Sequence, residues 1–197
     1  PQVAAALQPG ALVVSLCAGL STSRIEAAMP AGVPVVRVMP NTPAQVDEGM
    51  AAISAGATAG ADDLEHVTEL LSAVGKVVTV PEKYQDAVPE AYQDAVTAIS
   101  GSGPAYLFFV VEAMIDAGVM LGLPRDIATT LVVQTMYGSA KLLADSGLHP
   151  TVLRERVTSP GGTTAAALRE LEDHRVKAAF MTAMEAARNR SRDLAKA

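Results

Sequence analysis

Pro34-Val-Val-Arg-Val38 runs straight into Met39-Pro-Asn-Thr-Pro43, and this junction decides the fold class. The first five residues are a short apolar run opened by proline, and they read as a strand. Two prolines then stiffen the chain, while Asn41 and Thr42 offer an amide and a hydroxyl. In open α/β sheets, ligands bind beyond the carboxyl ends of strands. The segment is therefore a candidate site, although the same residues also suit an ordinary Asn-Thr turn.

On the N-terminal side, residues 11–16 (ALVVSL) read as a buried strand. Ser21 or Ser23 can cap a helix over residues 25–28, with Glu26 in its first turn. On the C-terminal side, residues 49–54 (GMAAIS) read as a third strand. Residues 62–74 place Leu64, Val67, Leu70, Leu71 and Val74 at helical spacing, with Gly75 as a suitable C-cap. Residues 76–80 (KVVTV) read as a strand stopped by Pro81. The order β-α-β-β-α-β predicts part of a mainly parallel sheet covered by helices.

After Pro81 the signals are helical. Helices are expected over residues 87–99, from Pro104 to about Leu121, and over residues 125–146 with Gly147 as the stop. A short helix follows near residues 151–156, another begins after Gly161-Gly162, and the last covers residues 176–194. In the last, Val176, Phe180, Ala183, Met184, Ala187 and Leu194 share a face. The expected organisation is a partial Rossmann-like α/β domain in residues 1–80, a linker in 81–95, and an all-α domain in 96–197. Tyr106-Leu-Phe-Phe-Val-Val111 is apolar all round, so its helix should be enclosed on every side. Too few helices are available to enclose it, and a second subunit is expected to supply the cover.

Two eight-residue units stand in tandem. Val80-Pro-Glu-Lys-Tyr-Gln-Asp-Ala87 is followed by Val88-Pro-Glu-Ala-Tyr-Gln-Asp-Ala95, and they differ only at Lys83 versus Ala91. Such a unit is too short for a solenoid repeat. A small duplication between domains is the simplest reading, at a place where extra length is tolerated.

Composition narrows the function. Of 197 residues, 50% are hydrophobic and 18% charged, against roughly 25% charged in an average soluble chain. A net charge of −6 gives no basic field for nucleic acid or anionic lipid. Cys17 has no cysteine partner, which points to a reducing, cytoplasmic compartment, and in Leu16-Cys17-Ala18 it reads as a buried small hydrophobe. Pro1-Gln2 carries no basic leader region, so no signal peptide is expected. The apolar run of residues 105–111 is short of the ~20 residues a membrane span needs, and Glu112 and Asp116 interrupt the same helix.

Conventional catalytic groups are scarce. His66, His149 and His174 lie far apart and read as solvated, no metal site is expected, and there is no Gly-x-Ser-x-Gly elbow. What remains is backbone chemistry in three segments. Besides residues 39–43 these are Ser100-Gly-Ser-Gly-Pro104, joining two helices, and Thr158-Ser-Pro-Gly-Gly-Thr-Thr164, leading into one. Gly161 and Gly162 allow close approach to the backbone, and Thr163 and Thr164 add hydroxyls at a helix start that favours an anion. Each is also a plain helix cap. Together they can bind a small carboxylate without lysine or arginine.

Three blocks carry a resemblance. Arg37-Val-Met-Pro-Asn-Thr-Pro-Ala44, Asp94-Ala-Val-Thr-Ala-Ile-Ser-Gly-Ser-Gly-Pro-Ala-Tyr106 and Val157-Thr-Ser-Pro-Gly-Gly-Thr-Thr-Ala-Ala-Ala-Leu168 resemble successive blocks of the pyrroline-5-carboxylate reductases. The stretch around Gly122-Leu-Pro-Arg125, Gln134-Thr135 and Gly138-Ser-Ala140 is similar too. The resemblance implies a Rossmann domain, a helical dimerisation domain, a homodimer and often a ring of dimers. It implies hydride transfer from NADPH or NADH to the C=N carbon of 1-pyrroline-5-carboxylate, giving L-proline. Ala18, Met39, Pro40, Asn41 and Thr42 would lie beside the nicotinamide. Ser102, Gly103, Gly161, Gly162, Thr163 and Thr164 would hold the substrate, with Ser102 a candidate polar group near the ring nitrogen.

Two departures stand beside it. The family opens with a strand and a Gly-x-Gly-x-x-Gly turn, whereas here Gly10 and Gly19 are isolated. A chain cut within that domain is expected, matching the family's C-terminal two-thirds. The linker also occurs twice. Three readings follow: a reductase, a non-catalytic dimerisation module of that family, or another nicotinamide enzyme such as a β-hydroxyacid dehydrogenase or imine reductase. The hydroxyacid enzymes usually place a lysine in a catalytic helix, and the helix after Pro124 offers Lys141 only near its end.

Overall fold

The computed structural model describes residues 2–80 and 90–196, excluding the side chains of residues 2, 90, 91, 195 and 196. Residues 81–87 of the first repeat unit, and with them the expected helix start at residue 87, lie outside that range. In chain order the elements are α1 (Gln2–Ala6), β1 (Val13–Ser15), α2 (Thr22–Glu26), β2 (Val35–Met39), a 3-10 turn (Thr42–Val46), β3 (Gly49–Ala55), α3 (Ala61–Ser72) and β4 (Gly75–Thr79). Then come α4 (Glu90–Val96), a π turn (Thr97–Gly101), α5 (Gly103–Met120), α6 (Arg125–Ser146), α7 (Pro150–Arg156), α8 (Thr163–Asp173) and α9 (Val176–Lys196). They gather into two compact units. One holds residues 1–104 and 183–197, the other residues 105–182.

The first unit is built on a sheet of order β1-β2-β3-β4. All five residues of β2 are buried, as befits a strand with both faces covered. Alternation sorts its side chains. Val36 and Val38 join Ala51, Ile53 and Val67 in the core, with Leu64 and Leu71 of α3 packed on them. Arg37 and Met39 face the other way, opposite Ser54 and Ala52 of β3. There α4 is attached by a hydrogen bond from Gln93 Nε2 to Ser54 Oγ.

The sheet is mixed rather than mainly parallel. The β1–β2 and β3–β4 pairs are parallel, but β2 and β3 are antiparallel. The reason is length. Residues 40–48 hold one 3-10 turn, and a parallel return needs a crossover of about a dozen residues or more.

Other expectations move by a few residues. The α2 helix begins at Thr22, and Ser21 caps it by accepting from the Arg24 N–H at 3.2 Å. Gly75 is not a helix cap. The α3 helix is capped by Ala73, and Gly75 opens β4 with φ +147°. It does so because β3 and β4 touch there. The Gly49 N–H donates to Val74 O at 2.9 Å, and Gly49 pairs with Gly75 in the ladder. A Cβ on Gly49 would come within 2.8 Å of both Ala44 Cβ and Val74 O.

The second unit is helical. Gly118 of α5 lies so close to α6 that an added Cβ would stand 3.0 Å from Ala128 Cβ. Within α5 no residue is buried, and Leu107, Phe108 and Phe109 are exposed. Among the described residues, none supplies the enclosure expected for this helix. The last helix shows a covered stripe at Val176, Phe180, Met184, Ala187 and Ser191, whereas Ala183 and Leu194 are exposed.

Ser100-Gly-Ser-Gly-Pro104 does not form the expected connecting loop. The Ser102 N–H donates to Thr97 O at 2.8 Å, an i→i+5 bond that carries the π turn into α5. The helical run Tyr92–Met120 is consequently long and apolar enough to cross a membrane by length and composition. The apolar run of residues 105–111 understated it because Ser and Gly do not break the helix here.

Gly75→Ala should lose about 3 kcal/mol or more, since its Cβ has no space beside the Gly49 peptide and its φ lies where L residues are strained. Urea unfolding of the variant against the parent chain measures this. A loss below about 1 kcal/mol would mean that the strand start re-forms elsewhere.

Candidate active site

The first unit collects its candidate residues at one end of the sheet. Because β1 and β2 are parallel, the residues after Ser15 and those after Met39 leave from the same edge. Ala18 is exposed there, Met39 is buried as the last residue of β2, Pro40 is half-buried, and Thr42 is exposed at the start of the 3-10 turn. Cys17 is exposed, not buried as its apolar neighbours suggested. The ladder ends at Ser15 opposite Arg37, so residues 16–18 have already left the sheet.

Asn41 occupies the N-cap of the 3-10 turn but makes no side-chain cap bond to it. Its amide reaches elsewhere. The Met50 N–H donates to Asn41 Oδ1 at 2.8 Å, and Asn41 Nδ2 donates to Ser100 Oγ at 3.3 Å. The loop after β2 is thereby tied both to the start of β3 and to the π turn. Gly101 adds to the junction, since a Cβ there would meet Met39 Sδ at 3.6 Å. Ser102 and Gly103 are half-buried immediately after it. Two of the three candidate segments, residues 39–43 and 100–104, therefore meet in one compact unit.

The third segment belongs to the second unit. Gly161 has φ +69°, and Gly162 is the N-cap of α8 with no side chain to cap it. The Gly162 N–H donates to Ser159 O at 3.0 Å. Thr163 is exposed and Thr164 half-buried at the helix start. An uncapped helix N-terminus presents N–H groups toward an anion.

Sequence reasoning missed a buried polar set in the first unit. Ser191 Oγ donates to Asp94 Oδ1 at 2.7 Å, and Arg192 Nε lies 3.5 Å from Asp94 Oδ2. Asp94 and Gln93 are both nearly inaccessible. They belong to the second duplicated unit, whose sequence twin is Gln85-Asp86. Helical spacing of Gln93, Asp94, Thr97 and Ala98 is the signal that marks this inward face. The three histidines lie at exposed positions, and His149 Nδ1 accepts from the Thr151 N–H at 3.3 Å.

The family model described as pyrroline-5-carboxylate reductase dimerisation matches residues 90–194, which is more than half of the chain. The chain belongs to the pyrroline-5-carboxylate reductase family. A reductase of this family from Corynebacterium melassecola is 48% identical over 185 residues, covering 94% of this chain and 66% of its own length. A solved reductase from Coxiella burnetii aligns with a TM-score of 0.89 and 34% identity, over 100% of this chain and 70% of its own. The Plasmodium falciparum reductase, solved with NADP bound, aligns with a TM-score of 0.84 and 35% identity, over 93% and 67%. The chain thus spans about two-thirds of the length of the family members it matches.

Asp94→Ala should cost about 1–3 kcal/mol, because it removes a buried acceptor from Ser191 and the partner of Arg192. Chemical denaturation checks the loss, and Ser191→Ala should cost less. Equal stability of Asp94→Ala and the parent chain would show that α4 is not held by this contact.

Proposed function

We propose that this chain serves the reduction of 1-pyrroline-5-carboxylate to L-proline, with NADPH or NADH as hydride donor, as a homodimer formed through the region of residues 90–194. The observation that carries the proposal is the meeting of residues 39–43 with residues 100–104 through Asn41 and Ser100, in a chain whose family is established.

The end of the sheet suits the nicotinamide part of the cofactor. Met39 provides an apolar edge, and Ala18 and Thr42 stand exposed beside the ends of parallel strands, where α/β folds bind such rings. The 197 residues contain no Gly-x-Gly-x-x-Gly turn, so the fit extends to the nicotinamide end and not to the pyrophosphate. When bound, the cofactor supplies the hydride. The residues of the chain bind and orient. In the first unit, Ser102 and Gly103 suit the substrate's ring nitrogen. In the second, the helix start at Gly161, Gly162, Thr163 and Thr164 offers N–H groups and hydroxyls suited to a carboxylate. An imine of this kind can take its proton from water, so no histidine or lysine acid is required. Alignment of two reactants is itself worth several kcal/mol of barrier.

Support for the homodimer comes from the helices. Phe108, Phe109, Met120, Leu121, Leu131 and Tyr137 are exposed in a region matched by a dimerisation family, a larger apolar display than single chains sustain in water. The same cover accounts for the membrane-length run Tyr92–Met120 without a bilayer. A second reading is a non-catalytic assembly module of the family, for which the dimerisation match over residues 90–194 speaks. The likeness to a ketol-acid reductoisomerase, at 16% identity and a TM-score of 0.62, shows fold alone.

The purified chain is assayed for NADPH or NADH oxidation that depends on 1-pyrroline-5-carboxylate, with an intact family enzyme as control. Turnover is expected, and a folded dimer without turnover selects the assembly module. Phe109→Asp should convert the dimer to monomer in sedimentation equilibrium. Phe109 is 71% exposed in the single chain, so a change in association without a change in helix content separates interface loss from misfolding.

A further inference from the structure

We propose that Asn41 is a positioning residue: its side-chain amide is used inside the protein to lock the loop after β2 against the π turn, through Ser100. This rests on the reading of residues 39–43 and 100–104 as the two halves of one reaction site. It differs from the expectation that Asn41 lies beside the nicotinamide as a cofactor-binding residue.

Three observations carry it. First, an asparagine at an N-cap ordinarily accepts from its own helix, and Asn41 does not. Second, both ends of the amide are engaged. Oδ1 accepts from the Met50 N–H at 2.8 Å, and Nδ2 donates to Ser100 Oγ at 3.3 Å across 59 residues of sequence. Third, Ser100 lies within the π turn. One extra residue per turn rotates everything that follows, and such bulges concentrate at functional sites. The Ser102 N–H donates to Thr97 O at 2.8 Å, and the Thr97 hydroxyl donates to Gln93 O at 2.8 Å. The turn is therefore held at both ends while Ser100 meets Asn41. Removing the Ser100 hydroxyl leaves the Met50–Asn41 bond in place and breaks only the bridge, which makes Ser100→Ala the informative variant.

A positioning role alters alignment without altering either binding surface. Ser100→Ala should keep KM for substrate and nucleotide within about twofold and lower kcat about tenfold or more, since misplacement by an ångström can cost 10²-fold. Asn41→Ala should lower kcat at least as far. The double variant should be no slower than Asn41→Ala alone, because the two changes remove one contact. Asn41→Asp keeps an acceptor for Met50 and accepts from the Ser100 hydroxyl, so it should recover most of the rate. Full kcat in Ser100→Ala, or effects that multiply in the double variant, overturns the proposal. So does a raised nucleotide KM in Asn41→Ala together with failure of Asn41→Asp, which marks Asn41 as a direct ligand.

Amide hydrogen exchange on the same variants is read without catalysis. Ser100→Ala should speed exchange in residues 42–46 and 101–103 about tenfold and leave Met50 protected, as expected for local opening. If the parent chain shows no turnover, the reductase reading fails by itself, and the bridge is still judged here. Unchanged exchange in both segments overturns it.

Discussion

The structure depends on one strand covered on both faces. Val35, Val36 and Val38 of β2 are completely inaccessible, and Arg37 in their midst is only 3% exposed. The α3 helix covers one face through Val67, Leu64 and Leu71, while Gln93 of α4 and Gly101 of the π turn approach the other through Ser54 and Met39. A strand whose two faces are both buried cannot slip by one residue, because every side chain would change sides. Its carboxyl end is therefore fixed in space, and with it Met39, Pro40 and the Asn41 amide. This candidate segment is held in place by the core beneath it.

The helical unit follows a different economy. Its long helices carry apolar residues on several sides, and large side chains of α5 and α6 remain exposed in the single chain. One close contact between them is Gly118 against Ala128, two small residues that let the backbones approach. A helix apolar all round must be enclosed by something. That requirement ties the stability of this unit to association, and it gives the dimerisation family of residues 90–194 a physical basis independent of sequence likeness.

Much of this was legible in the chain. The run PVVRV, the heptad-like spacing in residues 62–74, and Pro124 with Gly147 bounding α6 are local signals, and each element appears within a few residues of where they place it. The errors share a cause. Gly75 was read as a cap because caps and tight strand contacts both demand glycine. Ser100-Gly-Ser-Gly was read as a loop because these residues usually interrupt helices, whereas the Ser102–Thr97 bond carries the helix through. Cys17 was read as core from its neighbours, although the ladder had already ended at Ser15.

The sequence by itself determined the order and type of most elements, though not α1 or the π turn, and the two classes of architecture, because periodicity, proline and glycine act within a few residues. The family rests on the likeness of its motif blocks. Only the tertiary structure decided that β2 and β3 run antiparallel and that Asn41 spends its amide on Met50 and Ser100. It alone showed Asp94 to be buried against Ser191. These contacts join residues as far as 59 and 97 positions apart. Their energy exists only once distant segments are brought together, and no local pattern records which polar group will find which partner.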